Sequence, residues 1–559
     1  MRAEDAAGSA CPASTTLESL RRPLTHRAEA LLLCALACLS ALLFVASESA
    51  WYGDATTYAG DIRAGRLSDP GHLLWRPLAS LLHVVLGAHS YSAVLWQLQF
   101  LCLIASILVV LAMYRLAARL YGWLPALVVA LLMAVSNGFW IYAFSGCSYS
   151  LSMLFAILAL GYAIAPGRTA LPARAAFAAG VLGGLSAASW TIQILAAPAV
   201  WVALVLTPAR EPNALRQHLR NSAALAAGYV LTLVIPLVAA YLAQARGYTL
   251  GSAATAANSM SFAGWLASSR HGIPAHYGLA QLLRVVIGWP QSVISTSDLG
   301  AHLRLWRLQE APFPASGWLG VFVLFYAVVG AAIWALARAW PRLDARDRGI
   351  IASCATALGA NLLFAASWQG TDLERYFPSW PFQLLLLALL LRLAASAYPP
   401  RRVTALACAA VVSIAALNWL GTFAAVLAPD SYRQVWLREL RRATSPGDLV
   451  ILFGQRTQGI MSPHDPRLPK IDNVSLEIEV RGPGWHAAEL RSIEATRQRG
   501  GRIFLADTLF GTDHGPRDGW SFREYPRPTP EELQEAFLPF KSERVGFVVE
   551  AEKVWLGKD

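Results

Sequence analysis

Eleven apolar segments, each 17 to 25 residues long, follow one another between residues 30 and 427. A helix needs about 20 mostly apolar residues to cross the hydrocarbon core of a bilayer. The pattern therefore predicts an α-helical polytopic membrane protein, with about eleven transmembrane helices. We predict these helices at 30–48, 92–113, 122–141, 148–165, 174–190, 191–207, 222–243, 317–337, 349–367, 380–396 and 403–427.

The polar segments between and after these helices predict three parts of the chain. Residues 1–29 form a cytoplasmic tail, 30–428 the transmembrane domain with outer loops 50–91 and 244–316, and 429–559 an extracytoplasmic domain. A basic stretch precedes the first apolar segment, so a signal peptide is the alternative to an uncleaved first helix.

Charge predicts the orientation of the helices. With the N-terminus inside, the inner segments before residue 430 contain 18 arginines and the outer segments contain nine. Lysine and arginine are enriched in the cytoplasmic loops of membrane proteins. This orientation places the 50–91, 244–316 and 368–379 loops and the C-terminal domain on the same outer side. Four separate segments can therefore build one site there.

Composition agrees with a membrane location, because the chain is 56% hydrophobic and only 14% charged, against about 25% charged residues in soluble domains. The net charge of +11 divides into +12 before residue 430 and −1 from residue 430 on. The positive charge thus belongs to membrane topology, and no nucleic-acid partner is implied. The seven cysteines show no spacing typical of a zinc site or a redox pair.

The C-terminal segment predicts a small α/β domain. Apolar runs at 448–453 and 502–506 are typical of buried strands, and helices are predicted at 432–443, 486–498 and 529–537. Residues 545–550 and 553–556 predict a closing hairpin. No glycine-rich phosphate loop follows a strand, so no nucleotide site is predicted there.

The first outer loop is rich in charged and polar residues, whereas nearly everything around it is apolar. If residues 54–65 are helical, Asp54, Tyr58 and Asp61 lie on one face, with the two carboxylates roughly 10 Å apart. That separation is too large for the two acids to share a proton or one metal ion. His72 and Arg76 follow in the same loop.

Two further pieces of the outer loops are predicted to be helical. Pro77 marks the first turn of a helix, and Arg76 before it is expected to be extended. Residues 279–294 form an apolar stretch that is broken by Arg284 and Pro290 and is too short to span a membrane. An interfacial or re-entrant helix suits it better than a span. Such a helix is either an amphipathic surface helix or a lid over a site.

Transfer of a sugar from a polyprenyl phosphate needs few protein groups. The phosphate leaving group needs cations that hold its charge. The acceptor hydroxyl needs a carboxylate that takes or orients its proton, and the lipid needs apolar helices beside it. The predicted outer face of this chain offers all three.

Three stretches carry a resemblance to a known family. They are Gly53-Asp54-Ala55-Thr56-Thr57-Tyr58 with the later Gly65, Pro70-Gly71-His72 with Pro77-Leu78, and Glu374-Arg375-Tyr376-Phe377-Pro378 with Pro381. Together with the helix layout, they resemble the GT-C-type membrane glycosyltransferases that use polyprenyl-phosphate sugars. The chain is most similar to the family 39 set, which includes protein O-mannosyltransferases, the aminoarabinose transferase of lipid A and related bacterial lipopolysaccharide sugar transferases.

The resemblance implies that Asp54 is the catalytic carboxylate and that Arg375 contacts the donor phosphate. The further candidates for substrate binding are Tyr58, Asp61, His72, Arg76 and Tyr376. The implied partners are a polyprenyl-phosphate-linked sugar donor, a glycan, lipid or protein acceptor, and the bilayer of a bacterial plasma (inner) membrane. The chain departs from many relatives at Ala55, where they have Glu, and from some at 147–149, where they have an acid. No cofactor is therefore assigned, and a divalent metal stays open.

Each of these residues also has a structural interpretation. Asp54 is suited to a helix N-cap, Asp61 to a structural acid, and His72 to a cap of the following helix. Arg375 is suited to pairing within its own segment and Tyr376 to the aromatic belt of a membrane protein.

Two other classes of function compete with glycosyl transfer. The first is a lipid or solute transporter or flippase, in which ionisable residues usually stand in mid-membrane and helices occur in paired halves. The predicted spans contain few charges and no internal repeat. The second is a non-catalytic envelope scaffold, which would tolerate Asp54→Asn.

Overall fold

The computed structural model of the protein describes residues 24–47, 55–63, 65, 67, 71–87, 91–164, 172–206, 214–244, 279–296, 318–367, 370–429, 432–453, 469–474, 484–506, 509, 529–549 and 552–557. These residues are mainly helical, and a mixed sheet lies near the C-terminus. Each of the eleven predicted apolar segments is helical over most of its length. The α-helical membrane-protein fold class is therefore confirmed.

The helices of the first half follow the apolar segments and the first outer loop. They are α1 (His26–Ala46), α2 (Ala55–Arg63), α3 (Trp75–Leu86), α4 (Tyr91–Tyr121), α5 (Trp123–Val135), α6 (Asn137–Tyr142), α7 (Tyr149–Ala163), α8 (Ala173–Ser189), a 3₁₀ turn (Thr191–Ala196), α9 (Ala197–Leu206), α10 (Ala214–Tyr229), a π-helical turn (Val230–Val234) and α11 (Ile235–Gln244).

The second half continues the bundle and ends in the mixed sheet. Its helices are α12 (Leu279–Val293), α13 (Leu319–Ala339), a 3₁₀ turn (Trp340–Arg342), α14 (Ala345–Ser367), a 3₁₀ helix (Leu373–Ser379), α15 (Trp380–Ala397), α16 (Pro400–Asn418), a π-helical turn (Trp419–Phe423), α17 (Ala424–Leu427), α18 (Tyr432–Ala443), α19 (Trp485–Gln498), α20 (Pro530–Phe537) and a 3₁₀ turn (Leu538–Phe540).

Seven helical stretches in the described ranges have the length and apolar composition to cross a membrane. They are His26–Ala46, Ala93–Tyr121, Ala214–Ala239, Leu319–Arg342, Ala345–Ala366, Leu373–Ala397 and Pro400–Leu427. Other predicted spans are shorter as helices, because Ser136 is extended between α5 and α6 and a 3₁₀ turn precedes α9. The count of eleven spans stays a prediction.

One large apolar core joins these helices, with members on α1, α4 to α9 and α14 to α17. It also takes in buried side chains of α2 and α3, such as Tyr58 and Trp75. The described helices of the first outer loop, α2 and α3, are therefore packed onto the helix bundle.

Helix α12 packs backbone to backbone against the segment before α15. A Cβ added at Gly288 would lie 1.9 Å from the Gly370 carbonyl oxygen, and one at Gly370 would lie 2.8 Å from the Val285 amide nitrogen. The Tyr376 hydroxyl donates to the carbonyl oxygens of Val285, at 3.3 Å, and of Gly370. This contact needs glycine on both sides, and one face of α12 is anchored to the bundle.

A buried polar network anchors the far end of the same helix. The Asn418 side chain donates to the carbonyl oxygens of Val135 and Val293 at 2.6 and 2.9 Å and accepts from the Ser295 amide at 2.6 Å. Asn137 donates to the carbonyl oxygen of Gln291 at 2.9 Å. The helix predicted at 279–294 is present as α12, and these contacts hold it to the bundle. Its part as a surface helix or a lid stays a prediction.

The five strands described near the C-terminus form one sheet in the order β2-β1-β3-β5-β4. They are β1 (Leu449–Leu452), β2 (Lys470–Asn473), β3 (Ile503–Ala506), β4 (Lys541–Val549) and β5 (Glu552–Gly557). β1 runs parallel to β2 and β3, whereas β5 runs antiparallel to β3 and β4. The side chains of β1 and β3 are all buried, as their apolar runs predicted.

Asp448 stands just before β1 and binds Arg502, which stands just before the neighbouring strand β3. Its carboxylate accepts from the Arg502 amide and guanidinium, both at 2.8 Å, and from the Ser445 amide at 2.7 Å. Burial alone would raise the pKa of Asp448, but these hydrogen bonds and the Arg502 charge outweigh it and hold the pKa below its usual value.

Candidate functional site

Helix α2 presents its buried face to the bundle. Tyr58 and Asp61 share this face, as the helical spacing predicted, and both are buried. The helix sits against the turn before α7, where Gly146 has φ +89° and a Cβ at Gly146 would lie 2.9 Å from the Ala55 Cβ. Only glycine fits there without strain. Asp54, the predicted catalytic residue, lies outside the residues that the structure describes.

His72 is the centre of the first polar cluster. Its Nε2 lies 2.8 Å from the Tyr58 hydroxyl, and its Nδ1 lies 2.9 Å from Ser148 Oγ and 3.2 Å from the Ser189 carbonyl oxygen. A carbonyl oxygen only accepts, so Nδ1 carries the proton of the neutral ring and Nε2 accepts from Tyr58. These three contacts of His72 lie outside α3, whose N-cap residue Leu74 makes no side-chain cap bond.

Asp61 and Arg76 form an ion pair between α2 and α3. Arg76 Nη2 lies 2.8 Å from Asp61 Oδ2, and the two side chains are 12% and 8% exposed. The Arg76 guanidinium also stacks over the Tyr58 ring, 5.4 Å from its centroid. The expectation that Arg76 is extended is wrong, because α3 begins at Trp75. Pro77 is the third residue of the helix, where a backbone N–H has no partner inside the helix, so proline is tolerated.

Backbone hydrogen bonds join this loop to the break between α8 and the 3₁₀ turn that follows it. The Leu74 amide donates to the Ala188 carbonyl at 2.9 Å, and the Thr191 amide donates to the Gly71 carbonyl at 3.0 Å. Trp190, between the two helices, is extended with φ −154°. The extended residue turns the chain and exposes the Ser189 carbonyl to His72.

The second polar cluster lies on the 3₁₀ helix that precedes α15. Arg375 contacts two acids, with Nη2 at 3.1 Å from Asp372 Oδ2 and Nη1 at 2.7 Å from Glu374 Oε1. All three residues are at most 7% exposed, and together they carry a formal charge of −1. Asn361 holds this helix in place, because it donates to the Arg375 carbonyl and accepts from the Ser379 amide.

Aromatic side chains fill the space between the two clusters. The Tyr149 ring lies 5.0 Å from Tyr142, 4.7 Å from Trp190 and 6.0 Å from Phe377. The phenols of Tyr142 and Tyr149 face the Glu374 carboxylate. Because Tyr149 directly follows Ser148, the partner of His72, the two clusters belong to one continuous site.

The structure thus brings together candidates that are distant in sequence. Tyr58, Asp61, His72 and Arg76 form the first cluster, and Arg375 lies in the second, as described above. Tyr376 is fully buried and its hydroxyl binds backbone carbonyls of 285 and 370, so it does not lie in an exposed aromatic belt. Its predicted part in substrate binding, like that of the other candidates, stays a prediction.

Several residues of the site were not singled out from the sequence. Asp372 could have been found, because an Asp before Leu373–Ser379 is a typical cap of a helical segment. Ser148 and Tyr149 were noticed only where the chain departs from its relatives, and nothing local marks Ser189. Among the described residues, no three His, Cys, Asp or Glu side chains are placed to hold a metal ion, and the possibility of a divalent metal stays open.

By sequence, the chain matches no protein-family model and no curated protein. By structure, it is similar to ArnT from Cupriavidus metallidurans bound to undecaprenyl phosphate, with 11% identity, TM-score 0.48, and 95% of this chain and 98% of that chain covered. It is also similar to the archaeal oligosaccharyltransferase AglB from Archaeoglobus fulgidus in complex with an inhibitory peptide and a dolichol-phosphate, with 15% identity, TM-score 0.42, and 92% and 73% covered.

The Pmt1-Pmt2 protein O-mannosyltransferase complex of S. cerevisiae bound to the sugar donor matches a smaller part, with 18% identity, TM-score 0.30, and 41% of this chain and 35% of that chain covered. These neighbours are proteins of the kind that the sequence resemblance named. At such identities and TM-scores these likenesses carry no argument, and the function of this chain has to be inferred from its own residues.

Proposed function

We propose that the protein is a membrane glycosyltransferase that moves a sugar from a polyprenyl-phosphate donor to an acceptor hydroxyl on a lipid, glycan or protein. The observation that carries this proposal is the meeting of the first outer loop, the turn before α7, the break after α8 and the 370–377 segment in one site. The sequence predicted that the first and last of these segments face the same side of the membrane. The site combines acids, arginines and an aromatic wall beside apolar helices.

In the proposed reaction, a carboxylate accepts or orients the proton of the acceptor hydroxyl. Asp54 is our candidate for this base, since it directly precedes α2 in the chain and matches the acid of the resembling family. The oxygen of the acceptor then bonds to the anomeric carbon of the sugar, and the bond to the phosphate breaks. The phosphate leaves as a weak base, so it needs cations more than a strong acid.

Arg375 is our candidate for a contact to the donor phosphate. It is paired with Asp372 and Glu374 in this structure. A guanidinium has five N–H donors in a fixed plane, so an arginine that is bound to two carboxylates can still donate to a phosphate oxygen. In this arrangement the two acids would fix the orientation of the guanidinium before the donor arrives.

Asp61 has a different role in this proposal, because its carboxylate is already bound to Arg76. It would hold α2 against α3 and thereby fix the start of α2, where Asp54 joins the helix. Asp54→Asn should lower transfer about 100-fold or more without loss of folded protein, whereas Asp61→Asn should act mainly through stability.

The test is the glycolipid profile of cells that lack the gene and are complemented with the wild type, Asp54→Asn or Asp61→Asn. We expect Asp54→Asn to accumulate to the wild-type level in the membrane and to lower transfer about 100-fold or more, as for the loss of a general base. Full activity of Asp54→Asn would contradict the assignment of the base. An unchanged profile on loss of the gene would favour a transporter or a scaffold instead.

A further inference from the structure

A partly open groove lies between the ends of α5, α15 and α16, next to the last turn of α4. Most of its lining is apolar, with Leu124, Val128, Leu391, Val403 and Ala407 among the side chains. The groove is remote from the candidate site. Residues 98 and 99 of α4 contact Gly146, whereas Tyr121 at the groove is more than 20 residues further along the same helix, or about 33 Å at 1.5 Å per residue.

One wall of the groove is polar and firmly held. Arg392 Nη2 lies 2.6 Å from Asp347 Oδ2, and the Tyr121 hydroxyl donates to Asp347 Oδ1 at 3.4 Å. The Arg392 guanidinium also stacks over the Tyr121 ring, 5.3 Å from its centroid. The arginine keeps 26% of its side chain exposed, and both it and Tyr121 line the groove.

Further positive charge lies at the start of α16, the helix that forms one side of the groove. Pro400 lines the groove, and the next two residues, Arg401 and Arg402, are both exposed. Asp347 offsets the charge of Arg392, so Arg401 and Arg402 leave these residues with a formal charge of +2. An apolar groove beside a basic helix start matches a ligand that has an apolar chain and an anionic head. Basic pockets between transmembrane helices on the cytoplasmic side bind anionic lipid head groups in this way.

We propose that this groove is a binding site for an anionic phospholipid. One acyl chain would lie along α16 between Pro400 and Ala407, a length of about 10 Å. The phosphate would lie at Arg401 and Arg402, with Arg392 behind it. This site is separate from the proposed glycosyl transfer and does not depend on it. A short groove of this kind suits one acyl chain better than a long polyprenyl tail.

The proposal can be tested with the full-length protein purified in detergent. Native mass spectrometry would measure the binding of phosphatidylglycerol and of phosphatidylcholine. The charge variant is Arg401→Gln with Arg402→Gln, and the matched control is Arg216→Gln with Arg342→Gln. The control removes two exposed arginines that are predicted to face the same side of the membrane but belong to segments that do not line the groove, whereas Arg401 and Arg402 belong to α16, which does. Ala395→Trp would fill the groove without any change of charge.

We expect phosphatidylglycerol to bind more tightly than phosphatidylcholine. At about 1 kcal/mol per arginine near a charged lipid surface, the charge variant should weaken its binding about 25-fold, and the control variant should not. Ala395→Trp should release the tightly bound lipid, and its thermal unfolding in lipid-free detergent should stay near that of the wild type. If Ala395→Trp fails to fold, Ala407→Phe provides the same steric test from α16.

Three outcomes would overturn the proposal. Equal binding of both phospholipids, or equal losses in the charge variant and its control, would mean that only general surface charge or unspecific lipid contact is measured. Retention of the tightly bound lipid in a folded groove-filled variant would place the lipid elsewhere. Displacement of phosphatidylglycerol by an equal amount of polyprenyl phosphate, with the same dependence on Arg401 and Arg402, would assign the groove to the other lipid.

Discussion

The ion pair between Asp61 and Arg76 makes it possible to separate a structural acid from a catalytic one. Asp61→Asn keeps the shape of the side chain and removes its charge, which leaves the Arg76 guanidinium in a site where only 12% of its side chain is exposed. A buried charge without its partner is strongly destabilising. We therefore expect the substitution to loosen the contact between α2 and α3.

The magnitude follows from the geometry. Two unit charges 2.8 Å apart attract by about 6 kcal/mol at an effective dielectric constant of about 20. Much of this attraction offsets the desolvation of both ions, whereas removal of one partner of a buried pair costs about 3–5 kcal/mol. The double variant Asp61→Asn with Arg76→Gln removes both charges, so it should regain most of this loss.

Hydrogen–deuterium exchange of the full-length protein in detergent would measure the effect. If the α2 and α3 amides exchange through local opening, a loss of about 3–5 kcal/mol speeds their exchange roughly 10²- to 10⁴-fold. The β1 and β3 amides serve as an internal control, because they lie in the core of the C-terminal sheet. Sugar transfer by the same variants should fall where the α2 amides exchange faster and recover where their exchange slows again.

Two results would refute this reasoning. If the effects of Asp61→Asn and Arg76→Gln add in the double variant, the two side chains do not stabilise each other. If the double variant regains its slow exchange but remains inactive, Asp61 or Arg76 acts on the substrate, and the purely structural role of this pair has to be revised.

Three further predictions concern other parts of the molecule. Arg375→Lys keeps the charge but loses the planar pair of donors, so we expect a clearly poorer donor KM or kcat and a larger loss in Arg375→Ala. The acceptor KM should change little. Equal harm from Glu374→Gln would mean that the arginine only completes a structural pair. The pKa of Asp448 in the folded protein lies below its ordinary value of 3.8. The carboxylate therefore stabilises the sheet fully above that pH, and this stabilisation is lost as the pH falls through the folded pKa. Hydrogen exchange of the β1 amides, corrected for intrinsic rates, should become faster over this pH range, and Asp448→Asn should remove the pH dependence. Reporter fusions after the predicted sixth and eleventh helices should report opposite sides of the membrane, and a cytoplasmic C-terminal domain would contradict the predicted placement of the site.

The sequence predicted helices well where hydrophobicity alone determines them. Apolar length located every predicted segment, but the ends differ where polar residues continue a helix. The helix predicted at 92–113 extends to Tyr121 in α4, because Arg115 and Arg119 lie on its last turns without interrupting it. Strand β2 was not predicted, because Lys470–Asn473 has only one strongly apolar residue and pairs as the outer strand beside β1.

The site was predicted in part. Helical spacing placed Tyr58 and Asp61 on one face, and that inference needs only local geometry. The partners of His72 could not be predicted, because Ser148 and Ser189 lie 76 and 117 residues away in the chain. Such contacts depend on how the helices pack, and no local pattern records that. The pairing of Arg375 within its own segment was foreseen as an alternative, since neighbouring residues determine it.

The close approach of Gly288 and Gly370 has a mechanical consequence. Two backbones in direct contact leave no side chains between them to absorb displacement, so α12 and the 370–377 segment must shift together. A substrate-driven movement of the long outer loop would then be transmitted to the Asp372–Arg375 cluster with little loss. A spectroscopic label on the exposed face of α12, for example at Leu282, which is 57% exposed, would thus report the state of a site that it does not touch.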